Sequence, residues 1–152
     1  MPQTTRLYVP ATFDDLDAAT VTAKGARWTL PAGRSAHAVT PDLRDALPDE
    51  DDESLEWQAF CEAADTSAAL VTSRAGTTTP ALRVVISLDV PDGVGQPSTS
   101  DTDALSAVTV TQGISDAQVA AVHVDEVEVA GDFADADLLW YAPEEIPSIP
   151  RV

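Results

Sequence analysis

Leu82-Arg83-Val84-Val85-Ile86-Ser87-Leu88 is the strongest strand signal in the chain. Its β-branched run at Val84, Val85 and Ile86 suits a pleated surface with at least one buried face. What flanks this stretch decides the fold class. On its N-terminal side Trp57, Phe60, Cys61, Ala64, Ala68 and Val71 recur at three- and four-residue steps. That period predicts a helix over about Ser54 to Arg74 with those residues facing inward. The acidic connector Asp49-Glu50-Asp51-Asp52-Glu53 suits the helix N-terminus, Arg74 suits its C-terminus, and Gly76 with the neighbouring threonines ends it. On its C-terminal side the apolar runs at Ala107–Thr111, Ala120–Val124 and Leu138–Tyr141 read as further strands, the last apolar on both faces like an interior strand. Ser115 with Gln118 reads as a capping box opening a single helical turn between two of them.

Working outward to the N-terminus, residues 6–9 form a strand broken at Pro10. Thr12 and Asp15 have the spacing of a capping box, predicting a helix from Phe13 to about Ala23 that Gly25 closes. Residues 26–35 read as loop. His37 to Val39 is a short strand, and Thr40-Pro41 is an N-cap followed by proline at the first helical position. That helix ends near Leu47-Pro48. The expected architecture is α+β: a single domain over residues 1–152, with one mixed β-sheet of about five strands packed by one long and two or three short helices. A flexible loop is expected at 91–104, and a proline-rich tail at 143–152, which cannot be a regular helix, along the surface.

Four blocks carry a resemblance. Arg6-Leu7-Tyr8-Val9-Pro10-Ala11-Thr12, His37-Ala38-Val39-Thr40-Pro41, Val122-His123-Val124-Asp125 and Leu138-Leu139-Trp140-Tyr141-Ala142 resemble, in order and spacing, a small uncharacterised family of actinobacterial proteins. The likeness extends across nearly the whole chain and is weakest at 26–35 and 91–105. It implies a high-GC genome, which accounts for Ala, Asp and Arg in place of Lys without invoking adaptation to salt. It supplies no activity and no catalytic residue.

Charge narrows the partners. The 152 residues hold 26 acids against 8 basic side chains, a net −18 with Lys24 as the single lysine. Nucleic-acid affinity rests on Lys and Arg displacing counterions, so a phosphate backbone is excluded as a partner, and anionic membrane surfaces fall by the same sign. The composition suits a self-repelling cytoplasmic protein. Salt adaptation and acidic mimicry of a nucleic acid are the sharper alternatives. No secretory signal or membrane-spanning run is visible. One cysteine, Cys61, excludes an internal disulfide, and its acidic neighbours Glu62 and Asp65 disfavour a thiolate.

Candidate sites are few. His37 and His123 each stand near the C-terminal end of a strand, and alternation puts His123 and Asp125 on the face opposite Val122 and Val124. Were the two strands neighbours, His37, His123 and Asp125 would converge as a two-histidine, one-carboxylate metal site; structural histidines are the plainer reading. Between Asp17 and Asp42 there is no acid at all, yet Lys24, Arg27 and Arg34 lie there around Trp28. That loop is a candidate anion- or partner-binding site with Trp28 as anchor, unless its cations pair with the acids at 49–53. Acidic clusters at Asp14-Asp15-Asp17, at 49–53 and at Asp132, Asp135 and Asp137 lack calcium-loop spacing and read as helix starts and solvated faces. Trp57, Trp140 and Tyr141 read as core and sheet packing. Phosphate-loop, dinucleotide, nucleophile-elbow and zinc motifs are absent, and no cofactor is implied. The expectation is a non-catalytic interaction or regulatory domain binding a protein partner; the alternative is a small enzyme using His37, His123 and nearby carboxylates, with or without a divalent metal.

Overall fold

The computed structural model describes residues 3–73, 82–98, 103–129, 132–133 and 136–150. Arg74, Gly76 and Asp135, all given roles above, lie outside the described residues. In chain order the elements are β1 (Thr4–Ala11), α1 (Phe13–Asp17), β2 (Thr20–Thr22), β3 (Gly25–Leu30), β4 (Ser35–His37), α2 (Pro41–Ala46), α3 (Asp52–Ser73), β5 (Val84–Pro91), β6 (Gly95–Pro97), β7 (Ala107–Val110), β8 (Ile114–Val124) and β9 (Leu139–Tyr141). A 3-10 helix over Pro143–Ser148 follows.

The class is α+β as expected, but the sheet has nine strands and not about five. Its order is β2-β3-β8-β5-β1-β4-β7-β6, with β9 on β8. It is also antiparallel at every described pairing, not mixed. Tight turns make that inevitable for the short strands: Thr22 pairs with Gly25 across two residues, too few for a parallel crossover. The helix expected from Phe13 to Ala23 stops at Asp17, and the "loop" at 26–35 is largely strand. Ala26, Trp28 and Leu30 point inward while Arg27 and Thr29 point out, a period-two pattern that marks a strand. Gly25, with φ of 139°, serves this hairpin and not a helix end. The capping box read at Ser115 and Gln118 is likewise strand: β8 runs unbroken for 11 residues. A bulge opposite Ser87 and Leu88 shifts its phase, so Ala117, Val119, Val122 and Val124 all join one core. Part of the loop expected at 91–104 is a hairpin, in which Gly93 takes φ of 90° at the turn from β5 into β6.

One sheet face carries the main core. Leu7, Val9, Val84, Ile86, Leu88, Val122 and Val124 from the central strands join Trp28, Leu30, Val108 and Val110 from the flanking ones. Phe13 and Leu16 of α1 and Ile146 and Ile149 of the tail are the helical contributions to that cluster. With so little helix among them, most of this core is built from strand residues of the sheet itself. The tail runs along the surface as expected, with Glu144, Glu145, Pro147, Ser148 and Pro150 exposed, but Ile146 and Ile149 are inserted into this core. Local 3-10 turns let it carry Pro147 while Ile146 packs inward.

The other face carries α3. Its buried stripe is Leu55, Ala59, Ala63, Ser67 and Val71, at four-residue steps, packing with Tyr8, Val85 and Leu43. Of the expected stripe, Ala64 and Val71 are buried and Phe60 packs against the same cluster, while Trp57 is exposed and Cys61 and Ala68 are only half-buried. Small residues let the helix approach the sheet closely, so alanine and serine hold the contact while Trp57 stays 60% exposed. Ser67 is fully buried, donating to the Ala11 carbonyl at 3.0 Å and accepting from the Val84 amide at 2.9 Å. It ties α3 to a register pair of β1 and β5. Ser67→Ala leaves a buried donor and acceptor unpaired, and a loss of about 2 kcal/mol is expected. Urea unfolding checks this; an unchanged midpoint would show that the tie contributes nothing. The two cap predictions at Thr12 and Thr40 hold: the Thr12 amide donates to the Asp15 carboxylate at 3.0 Å, and Thr40 Oγ1 accepts from the Leu43 amide at 3.1 Å.

A groove between the long helix and the last strand

The outer edge of β8 is shared. β3 pairs with its first half, at Ile114 to Gln118, and β9 with its end, at Val122 to Val124. β9 is an edge strand, not the interior one expected, and Leu139 and Trp140 are 39% and 63% exposed. Trp140 is the register partner of His123, so both side chains rise on the face that α3 crosses. Between α3 and β9 this leaves a groove of about 900 Å³.

Tyr8, Ser87, Ala121 and His123 form its floor, Trp57 and Phe60 its helical wall, and Asp137, Leu138 and Trp140 its strand wall. An aromatic chain links wall to floor. Trp57 stacks on Phe60 at 5.4 Å and 26°. Phe60 then meets Tyr8 edge-on at 6.1 Å and His123 edge-on at 4.7 Å. The second face of the Trp57 indole is left to the groove.

The floor is electrically neutral near pH 7. Burial foremost, and Arg6 after it, push the His123 imidazole down to about 4. Burial foremost, with Glu56 adding to it, pushes the Tyr8 hydroxyl up to about 12. The rim is acidic. Glu50, Glu53, Glu56 and Asp137 line it, and none has an ion-pair partner among the described residues. The one lining cation among the described residues, Arg6, is held by Asp89 through Nε at 2.7 Å and Nη2 at 3.3 Å.

Ser87 Oγ lies 2.9 Å from His123 Nε2. Every deeply buried side-chain nitrogen and oxygen among the described residues has a partner. No hydrogen bond of His123 Nδ1 is found among the described residues, so that atom is not deeply buried, and His123 lines the groove. Such a pair suits recognition more than proton abstraction. An imidazole whose conjugate acid ionises near 4 is a weak base, and no third group orients it through Nδ1.

The histidines do not converge. His37 on β4 and His123 on β8 are separated by β1 and β5, three strand spacings or about 14 Å. His37 uses both ring nitrogens, Nδ1 to Ser106 Oγ at 2.8 Å and Nε2 to Thr66 Oγ1 at 3.0 Å, and Ser106 in turn donates to Glu62 at 2.8 Å. Burial lowers its pKa, against the opposing pull of Glu62. Asp125 is fully buried and closed by Arg83 at 2.7 Å. Among the described residues no cluster of His, Cys, Asp or Glu has the arrangement to hold a metal.

The basic loop is also dispersed. Lys24 and Arg27 are exposed on the β2–β3 hairpin, but Trp28 is buried at 4% and anchors the core, not a partner. Arg34 lies 5.3 Å over the Trp28 ring and pairs with Asp15 at 3.0 Å, and Arg44 takes Asp52 of the connector at 2.6 Å. Cys61 is half-buried, its thiol pushed up by burial and then by Asp65. Of the groove residues, Trp57, Trp140 and Phe60 read in the sequence as packing, and Ser87 only as part of the central strand. One signal did exist: Trp57 follows Glu53 by four residues, so it shares a helix face with an exposed acid. Trp140 becomes legible only through its register with His123.

No helix among the described residues is long and apolar enough to cross a membrane. No curated protein and no solved structure matches the chain. Residues 5–149 match the model of a family of unknown function (DUF6912), and the chain belongs to that family.

Proposed function

We propose that this member of a family without an assigned activity is a non-catalytic, cytoplasmic interaction domain that holds a basic segment of a protein partner between α3 and β9. The observation that carries the reading is the groove itself. Two tryptophans 60% and 63% exposed face a cleft whose carboxylates Glu50, Glu53, Glu56 and Asp137 have no ion-pair partner among the described residues, Arg6 nearby being held by Asp89. Large exposed aromatics beside acids suit an apolar, positively charged occupant, and tryptophan is the commonest anchor of such contacts. Nucleic acid and anionic lipid are disfavoured by the charge of −18, and a second copy of the chain by self-repulsion. A catalytic role for His123 has less support, because its one bond is to a serine it cannot readily deprotonate.

Tryptophan fluorescence tests the reading with synthetic peptides. A basic decapeptide is expected to bind, and to weaken as salt rises through the physiological range, where charges are screened beyond about 8 Å. The double variant Trp57→Ala, Trp140→Ala, read by peptide anisotropy, is expected to lose at least about thirtyfold in affinity, the loss of one hot spot. Equal binding of an acidic peptide, or full affinity in the double variant, would sink the proposal.

A further inference from the structure

The geometry points to arginine, not lysine, as the side chain of that basic segment that anchors in the groove; this rests on the function proposed above. Both side chains satisfy the sign of the rim, so the choice falls to shape and hydration. The Trp57 indole has one face on Phe60 and the other open, a flat apolar surface beside Glu53 and Glu56 on the same helix. A guanidinium is planar, weakly hydrated and able to stack on an indole while its edge donates two parallel bonds to a carboxylate. An ammonium keeps its water more tightly and cannot stack. The floor adds neutral hydrogen-bonding groups, the Tyr8 hydroxyl and His123 Nδ1, which suit a group with several fixed donors over a single point charge.

The protein already uses this arrangement twice within itself. Arg34 lies 5.3 Å over Trp28 with its fork on Asp15, and Arg83 lies 5.0 Å over Phe133 with its fork on Asp125. In each case an aromatic face and a carboxylate edge enclose one guanidinium. The groove offers the same two elements, Trp57 with Glu53 or Glu56, with the guanidinium missing. Arg6 does not fill the place, because Asp89 holds its fork.

The test compares two decapeptides of equal charge, one alternating arginine with serine and the other lysine with serine. Anisotropy of labelled peptide against the intact chain is expected to show the arginine peptide binding about tenfold tighter. That preference is expected to disappear in Trp57→Ala and to shrink in Glu53→Gln, Glu56→Gln. All three residues are exposed, so the variants keep the fold, and far-ultraviolet circular dichroism verifies it. Equal binding of both peptides overturns the arginine assignment and leaves the interaction groove standing. An arginine preference untouched by these substitutions overturns the location. Binding of neither peptide overturns the proposed function itself.

Discussion

Replacing Asp125 with alanine is expected to destabilise the protein by about 3–5 kcal/mol, the effect of stranding a buried charge. Asp125 is wholly enclosed, and Arg83 is 10% exposed at its side chain. The carboxylate accepts from Arg83 Nε at 2.9 Å, from Nη2 at 2.7 Å and from the Arg83 amide at 2.8 Å. These bonds sit where β5 and β8 begin to pair at Val84 and Val124, and Nη2 also reaches the Ala136 carbonyl at 2.9 Å. Without Asp125 the guanidinium keeps one carbonyl and the face of Phe133. Urea unfolding of Asp125→Ala, Arg83→Met and the double variant separates the pair from its members. The double variant is expected to recover much of the loss, since a buried pair replaced by apolar groups is often neutral. A single variant within about 1 kcal/mol of the parent would place the pair with exposed salt bridges.

Acid is expected to remove stability through His123. Its pKa is about 4 in the fold against the ordinary 6.5 of a histidine, so between these limits the unfolded chain binds the proton and the folded chain does not. Unfolding then takes up protons, and stability falls as pH is lowered from about 7 to 4. A depression of this size corresponds to on the order of 3 kcal/mol. His37, lowered in the same direction by burial, adds to the loss. Protonation of some of the 26 acids relieves self-repulsion over the same range and works the other way. The difference between the parent and His123→Gln isolates the histidine. Parallel stability–pH curves for the two proteins would show that His123 is not held neutral by burial.

Local signals in the chain carried the local structure well. Thr12 and Thr40 cap helices because a hydroxyl or a nearby carboxylate three residues on has its partner within one turn. The central strand at Val84 to Leu88 follows from β-branching alone. What failed depended on the third dimension. A helix pattern was read through Thr20 to Ala23 because short polar strands have little periodicity, and the pairing of Thr22 with Gly25 supplies what the residues lack. The inward stripe of α3 is legible in part: Ala64 and Val71 are buried as the period predicts, but Ala59, Ala63 and Ser67 complete it because small residues let the helix come close, and Trp57 is left outside. The site was hidden for a related reason. Trp57 and Trp140 are 83 positions apart in number, and only the crossing of α3 over the β8–β9 pair brings both to one cleft. The plainer reading of both histidines as structural fits their hydrogen bonds, and only the conditional metal site is undone, by a strand order that no single strand's residues encode.

One wall of the groove has an unusual foundation. Trp140 stands on β9, a strand of three residues attached along one edge to the end of β8, whereas Trp57 stands on a helix of 22 residues. Opening β9 breaks few hydrogen bonds and costs the contact of Tyr141 with the main core, but leaves the pairing of β8 with β5 in place, so it is a local fluctuation cheaper than global unfolding. The cleft is therefore a jaw with one fixed and one yielding side. A bound segment of the kind proposed would set its width and clamp the strand in return.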